Sequence, residues 1–211
     1  MTEKRSARYK SVLIVALLVI LVAVILCAGC TGENGTSAHA RTLQVSGSTT
    51  VLPIAQLTGE AFMAENPGVD IQVNGGGSSV GIQAVGGGTV DIGMASRDLK
   101  DSEKEAYPDL VKHVVALDGI VIIVNPENSL GGLTLDEVRG IYNGTYRNWN
   151  DLGGPDLEIV VTGRDSASGT REFFHEVVMK KEDFVETQRE KNSNGAVKQT
   201  VAQTPGAIGY V

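Results

Sequence analysis

Residues 157–171 read LEIVVTGRDSASGTR, and this stretch decides the fold class. An apolar run ending at Gly163 meets an amphipathic run beginning at Phe173, so residues 164–171 lie where a strand turns into a helix. Backbone amides at a helix start are unpaired and carry the positive end of the helix dipole, which makes such a turn an anion site. Ser168 is placed as the helix N-cap, Gly169 lets a ligand approach the backbone, and Thr170 adds a hydroxyl. Arg164 supplies a planar, permanently charged fork suited to phosphate or carboxylate. Taken alone, the same letters also describe a capped helix with solvent-facing arginines. The rest of the chain has to decide.

The pattern recurs upstream. A short strand over residues 42–45 runs into Ser46-Gly47-Ser48-Thr49-Thr50, after which Leu52, Ile54, Leu57, Ala61 and Phe62 recur at helical spacing until Asn66-Pro67-Gly68. Residues 69–73 read as a second strand, Asn74-Gly75-Gly76-Gly77-Ser78-Ser79 as a glycine-rich turn, and 80–85 as a short helix. Residues 90–94 form a third strand, followed by Ala95-Ser96-Arg97-Asp98. Strands that each end in a hydroxyl-bearing loop predict an α/β fold whose crossover helices gather those loops at the carboxyl edge of a parallel sheet, where ligands bind.

Residues 114–124 (VVALDGIVIIV) read as an apolar strand broken by Asp118-Gly119. A carboxylate in a buried strand is costly unless paired, which makes Asp118 a candidate functional residue. The competing reading makes Asp118-Gly119 the bend where the chain passes between two lobes. Thr134-Leu135-Asp136-Glu137 is a capping box opening a helix, Trp149 an aromatic packing anchor, and His175 a structural residue. A last helix reaches Gln203, and residues 207–211 begin a strand.

The 211 residues are 42% hydrophobic and 20% charged, a folded rather than disordered composition, and a net charge of −7 excludes a general nucleic-acid binder. An acidic protein that binds an anion must do so with local dipoles and a local arginine. Lys4, Arg5, Arg8 and Lys10 precede an uncharged apolar run from Val12 to Ala28, the layout of a signal peptide over residues 1–29 or of a retained membrane anchor. Cys27-Ala28-Gly29-Cys30 resembles a lipobox with Cys30 as the lipidated residue, although Leu26 lies one place earlier than that pattern prefers. Residues 30–41 are small and polar, a flexible tether to the membrane. With Cys27 in the signal and Cys30 lipidated, no disulfide framework remains.

Ser46-Gly47-Ser48-Thr49, Gly75-Gly76-Gly77-Ser78-Ser79, Asp91 through Arg97, Asp118-Gly119-Ile120 and Arg164 with Ser168-Gly169-Thr170 together resemble the phosphate-binding lipoproteins of ABC-type phosphate importers. The resemblance implies a type II periplasmic-binding-protein fold in which two lobes, each a mixed sheet flanked by helices, close on inorganic phosphate. It implies residues 42–117 as lobe one, 118–206 as lobe two with a hinge near 118–125, and 207–211 as the start of a return crossing. Carried over residue by residue, the phosphate ligands are Ser48, Thr49, Thr50, Ser78, Arg164, Ser168, Gly169 and Thr170, with Ser96, Arg97 and Asp118 as further site residues. In this family a carboxylate following a Ser accepts the ligand proton and rejects sulfate. Here Arg97 follows Ser96, which leaves Asp98 and Asp118 as the candidates. The family's chain continues beyond the strand matching residues 207–211 to complete lobe one, so the resemblance also implies an incomplete first lobe. The implied partners are phosphate, the permease subunits of an ABC importer, and the extracytoplasmic face of the cell membrane. No cofactor, metal or nucleic acid is called for.

Two alternatives stand beside this reading. The cleft takes another oxyanion, such as sulfate, molybdate, tungstate or a phosphonate. Or Gly77-Ser78-Ser79-Val80-Gly81 is the nucleophile elbow of a serine hydrolase with Ser79 as nucleophile and His113 or His175 as base. There is no Walker A lysine motif and no zinc-ligand spacing.

Overall fold

The structure, a computed structural model, describes residues 41–211, so the proposed signal, Cys30 and nearly all of the tether lie outside the described residues. Strand β1 (Arg41–Gly47) leads into helix α1 (Leu52–Glu65), which has Pro53 in its first turn where the missing amide costs nothing. Strand β2 (Val69–Gly75), helix α2 (Ser78–Gly86) and strand β3 (Ile92–Met94) follow. These strands form a parallel sheet in the order β2-β1-β3. The chain therefore leaves β1 to one side and returns to its other side. That reversal makes the carboxyl end of β1 a topological switch point, with a crevice directly beyond it.

A short helix α3 (Asp101–Ala106) precedes an irregular passage to β4 (Ile122–Val124). Helix α4 (Leu135–Tyr142) opens with the expected capping box, Thr134 Oγ1 accepting from the Glu137 amide at 3.2 Å and Glu137 Oε2 from the Thr134 amide at 2.7 Å. Strand β5 (Val160–Arg164), helix α5 (Gly169–Val177), strand β6 (Arg189–Lys191), helix α6 (Asn194–Gln203) and strand β7 (Ala207–Tyr210) complete the chain. The second sheet runs β4-β7-β5-β6, with β4 antiparallel and the other pairs parallel. Strand β5 lies between β6 and β7, so its carboxyl end, at Arg164, is a second switch point built like the first.

Residues 207–210, which the resemblance makes the start of a return crossing, form an inner strand of the second sheet. All four are buried, with β4 pairing along Ile208–Tyr210 and β5 along Ala207 and Ile208. Residues 114–121 are not a buried strand: only 122–124 are regular, and Val114, Val115 and Leu117 are exposed. Hydrophobic residues form a strand only against a neighbouring one, and among the described residues this passage has a backbone partner only at Val121, which pairs with Val211. Asp118 is consequently exposed, and the burial argument that singled it out does not hold.

The larger core belongs to the second lobe. Val138, Ile141, Tyr142, Trp149, Val161, Phe174, Met179, Ile208 and Tyr210 pack beneath its sheet, with the Phe174 and Tyr210 rings stacked at 4.1 Å. Trp149 is the anchor expected, its indole N–H donating to the Gly206 carbonyl at 2.9 Å. In the first lobe Val45, Ile82 and Met94 are buried, while Ile54, Leu57, Phe62 and Ile92 are exposed.

Candidate anion-binding cleft

Each switch point delivers one wall of a cleft. On the first lobe, the Ser48 hydroxyl accepts from the Thr50 amide at 3.2 Å and the Val51 amide at 3.4 Å, and it is nearly fully buried. This hydroxyl turn fixes where Thr49 and Thr50 project. From β2, Gly77 adopts φ 95° at the start of α2, and a Cβ there would lie 2.7 Å from the Ala167 carbonyl of the other lobe. Only glycine satisfies both the dihedral and the contact. No side chain caps α2, and the buried Ser78 hydroxyl lies 3.3 Å from Ser96 Oγ and accepts from the Ser96 amide at 3.1 Å.

On the second lobe, Ser168 caps α5 as expected, its hydroxyl accepting from the Arg171 amide at 3.2 Å. Gly169 follows at the helix start, where a Cβ would meet Ser78 Oγ at 2.4 Å and Ser96 Oγ at 2.9 Å. Thr170 Oγ1 lies 3.2 Å from Thr50 Oγ1, and the Ser79 amide donates to the Ala167 carbonyl at 3.1 Å. The two walls are in contact. Ser48, Thr50, Ser78, Ser96, Ser168, Gly169 and Thr170 thus come together from four separate loops.

Arg164 is buried to 1% exposure. Its Nε donates to the Lys191 carbonyl at 3.1 Å, Nη2 to the Asn192 carbonyl at 3.2 Å, and Nη1 to Asn194 Oδ1. Its own amide donates to the Tyr210 hydroxyl at 3.1 Å. A guanidinium has five N–H groups, so two remain, one on each terminal nitrogen. Among the described residues no carboxylate lies within ion-pair distance of this guanidinium. Burial lowers its pKa from the ordinary arginine value, the expected cost of holding an uncompensated cation inside a protein. Arg171 turns away from that role, pairing with Glu190 at 2.8 Å and lying over the Phe184 ring.

Of the remaining candidates, Arg97 borders this cluster, while Asp98 and Asp118 lie apart from it. Arg97 is committed to carboxylates: both terminal nitrogens donate to Glu103 at 2.7 Å, and Nε lies 3.0 Å from Glu172 Oε2. The Glu103 hydrogen bond raises the pKa of Arg97, and Arg97 in turn holds the Glu103 carboxyl below its usual range. Arg97 therefore holds one carboxylate from each lobe at the cleft mouth. Asp98 is exposed and bonded to Lys112 at 2.6 Å, and Asp118 is exposed on the irregular passage. Ser79 Oγ accepts from Arg97 Nη2 at 3.0 Å, and among the described residues no histidine bonds to it, so no catalytic triad assembles there. Asn192 and Asn194 are the residues that sequence reasoning missed.

Two lobes of α/β structure thus bring hydroxyl-rich loops to face each other across a cleft. A profile of the PBP superfamily domain matches residues 32–211, and the chain belongs to that family. It is 38% identical over 169 residues to the phosphate-binding protein PstS of Bacillus subtilis (strain 168), covering 80% of this chain and 56% of that protein. It is 32% identical over 203 residues to the PstS of Staphylococcus epidermidis (strain ATCC 12228 / FDA PCI 1200), covering 90% of this chain and 62% of that one. The chain thus spans little more than half the length of these relatives. Among solved structures, a candidate substrate-binding protein of a phosphate ABC transporter from Clostridium perfringens, crystallised with bound phosphate, is 41% identical. It superposes with a TM-score of 0.77 over 81% of this chain and 70% of that one. A phosphate transport receptor from Vibrio cholerae is 33% identical, with a TM-score of 0.59 over 80% of this chain and 70% of its own.

Proposed function

We propose that this chain captures inorganic phosphate between its two lobes, outside the cytoplasmic membrane, and delivers it to the permease subunits of an ABC importer. The observation that carries the reading is Arg164: a buried cation with two N–H groups left and no carboxylate partner among the described residues, set beside converging hydroxyls. A buried cation without a counter-charge is costly, and an anion joining it offsets that cost. Neutral dipoles from Ser48, Thr49, Thr50, Ser78, Ser96, Ser168, Gly169 and Thr170 complete the ligand shell, each bond to the charged ligand contributing about 1.5–3 kcal/mol. Relatives named for phosphate binding support the choice of anion. Cys30, or the apolar run before it, would hold the domain at the membrane surface.

A second reading, another tetrahedral oxyanion, is favoured by one observation: neither Asp98 nor Asp118 reaches the cluster to accept a phosphate proton. Isothermal titration with phosphate, sulfate, molybdate and a phosphonate at two pH values separates the two. We expect phosphate to bind and Arg164→Ala to weaken it by about 100-fold or more, with Arg164→Lys intermediate because a point charge replaces a fork. Unchanged binding by Arg164→Ala would overturn the site.

A further inference from the structure

Asn194 opens helix α6, yet it is not needed to cap it. Ser193 does that, its hydroxyl accepting from the Ala196 amide at 3.2 Å. The Asn194 side chain instead spans the cleft. Its Oδ1 accepts from Arg164 Nη1, its Nδ2 donates to Thr50 Oγ1 at 2.9 Å, and its backbone amide reaches Thr49 Oγ1 at 3.3 Å. A carboxamide offers an acceptor and a donor on one short plane, so it can hold a guanidinium on one side and a hydroxyl on the other. A carboxylate loses the donor, and an alanine loses both.

The consequence concerns the hydroxyls. Because Nδ2 donates to Thr50 Oγ1, one lone pair of that oxygen is taken and its proton is turned elsewhere. The neighbour in reach is Thr170 Oγ1 at 3.2 Å. If Thr50 donates to Thr170, the Thr170 proton in turn is free for a ligand oxygen. Thr50 belongs to the first lobe, whereas Arg164, Thr170 and Asn194 belong to the second. This bonding chain exists only when the lobes meet.

We propose that Asn194 is a positioning residue for the anion: it orients the Arg164 fork and the Thr50–Thr170 hydroxyl pair toward the ligand, and it makes that alignment conditional on lobe closure. The inference rests on the anion-capture reading above. Full-length chain is titrated with inorganic phosphate, release is followed by stopped flow, and circular dichroism confirms that each variant is folded. Asn194→Ala should weaken phosphate by about 10- to 100-fold, mostly through faster release. Asn194→Asp, which keeps the acceptor but adds a negative charge beside the ligand, should weaken it further at pH 7.5. Its deficit relative to wild type should shrink as the pH falls and the new carboxyl protonates. In a cycle with Thr50→Val, the two losses should be clearly non-additive, a coupling that a merely structural asparagine would not show. Asn194→Ser serves as the milder variant if Asn194→Ala is unfolded. Wild-type binding with Asn194 variants within about twofold and additive with Thr50→Val would overturn the inference and leave the anion reading intact. If wild type binds a different oxyanion, the phosphate assignment falls and the same cycle with that ion decides Asn194. If wild type binds none, both fall.

Discussion

Glu172 Oε2, in the first turn of α5 on the second lobe, lies 3.0 Å from Arg97 Nε on the first. It also lies 2.9 Å from Lys100 Nζ. Arg97 is oriented by the two hydrogen bonds it donates to Glu103, so one lobe presents a fixed fork and the other a carboxylate at the cleft mouth. Removing the charge with Glu172→Gln should accelerate ligand release about three- to tenfold at low salt. The effect should fade above about 0.5 M salt, because Lys100 is partly exposed and screened. Stopped-flow release measured across a salt series checks this, and a salt-independent rate equal to wild type would rule it out.

Gly169 has no left-handed backbone requirement, so an alanine there is compatible with the helix. The added methyl would instead strike Ser78 Oγ at 2.4 Å and Ser96 Oγ at 2.9 Å on the opposite wall. Gly169→Ala should therefore leave the melting temperature without ligand unchanged within about 2 °C while reducing phosphate affinity by about 30-fold or more. A drop in melting temperature without loss of affinity would show that the contact belongs to folding rather than closure.

The Tyr210 hydroxyl accepts from the Arg164 amide at the end of β5, and burial pushes its pKa up to about 12. Tyr210→Phe leaves that amide without its partner in a buried place, costing about 1–3 kcal/mol of stability. In wild type the protonated phenol is the form the fold holds, so its contribution is complete below the ordinary tyrosine value of 10.0 and is lost as the pH rises toward about 12. Alkaline unfolding of wild type followed by circular dichroism should steepen in that interval, and Tyr210→Phe should reduce the slope, the remainder coming from the buried Tyr142, whose pKa burial also raises.

Glu103 behaves with the opposite sign. The Arg97 hydrogen bond holds its carboxyl below the ordinary glutamate value of 4.5, so the folded state gives up that proton more readily than the unfolded chain. The stabilisation is present above that value and disappears as the pH falls through the folded one. Glu103→Gln should flatten the acid side of the stability curve, measured by urea unfolding at stepped pH. It should also free Arg97 from its orientation and so weaken the Glu172 contact.

What the sequence made legible is local. The Ser168 cap and the Thr134–Glu137 box are bonds between residues three apart, and the strand-turn-helix rhythm that places residues 48–50 and 164–170 at loop edges is a short-range periodicity. Asn194 stayed hidden because its partners, Thr50 and Arg164, are 144 and 30 residues away. Nothing in its own surroundings marks it beyond a position at a helix start. The two carboxylate partners of Arg97 stayed hidden because a single arginine after a serine does not announce them, although Glu103 six residues later in a charged helix was a signal. The 114–124 run misled for a related reason: composition reports hydrophobicity, while a strand needs a neighbour. Strand β6, with the sequence REK, escaped because it is polar and is held by pairing with β5 rather than by any apolar pattern of its own.

The paired switch points at β1 and β5 carry a consequence for unloading. Neither strand end, taken by itself, is a complete receptacle; the shell exists as the seam between two halves. Prying the halves apart therefore dismantles it outright, with no competitor ion and no proton required. On the function proposed above, a transporter that grips the two lobes and spreads them would empty the site by leverage alone.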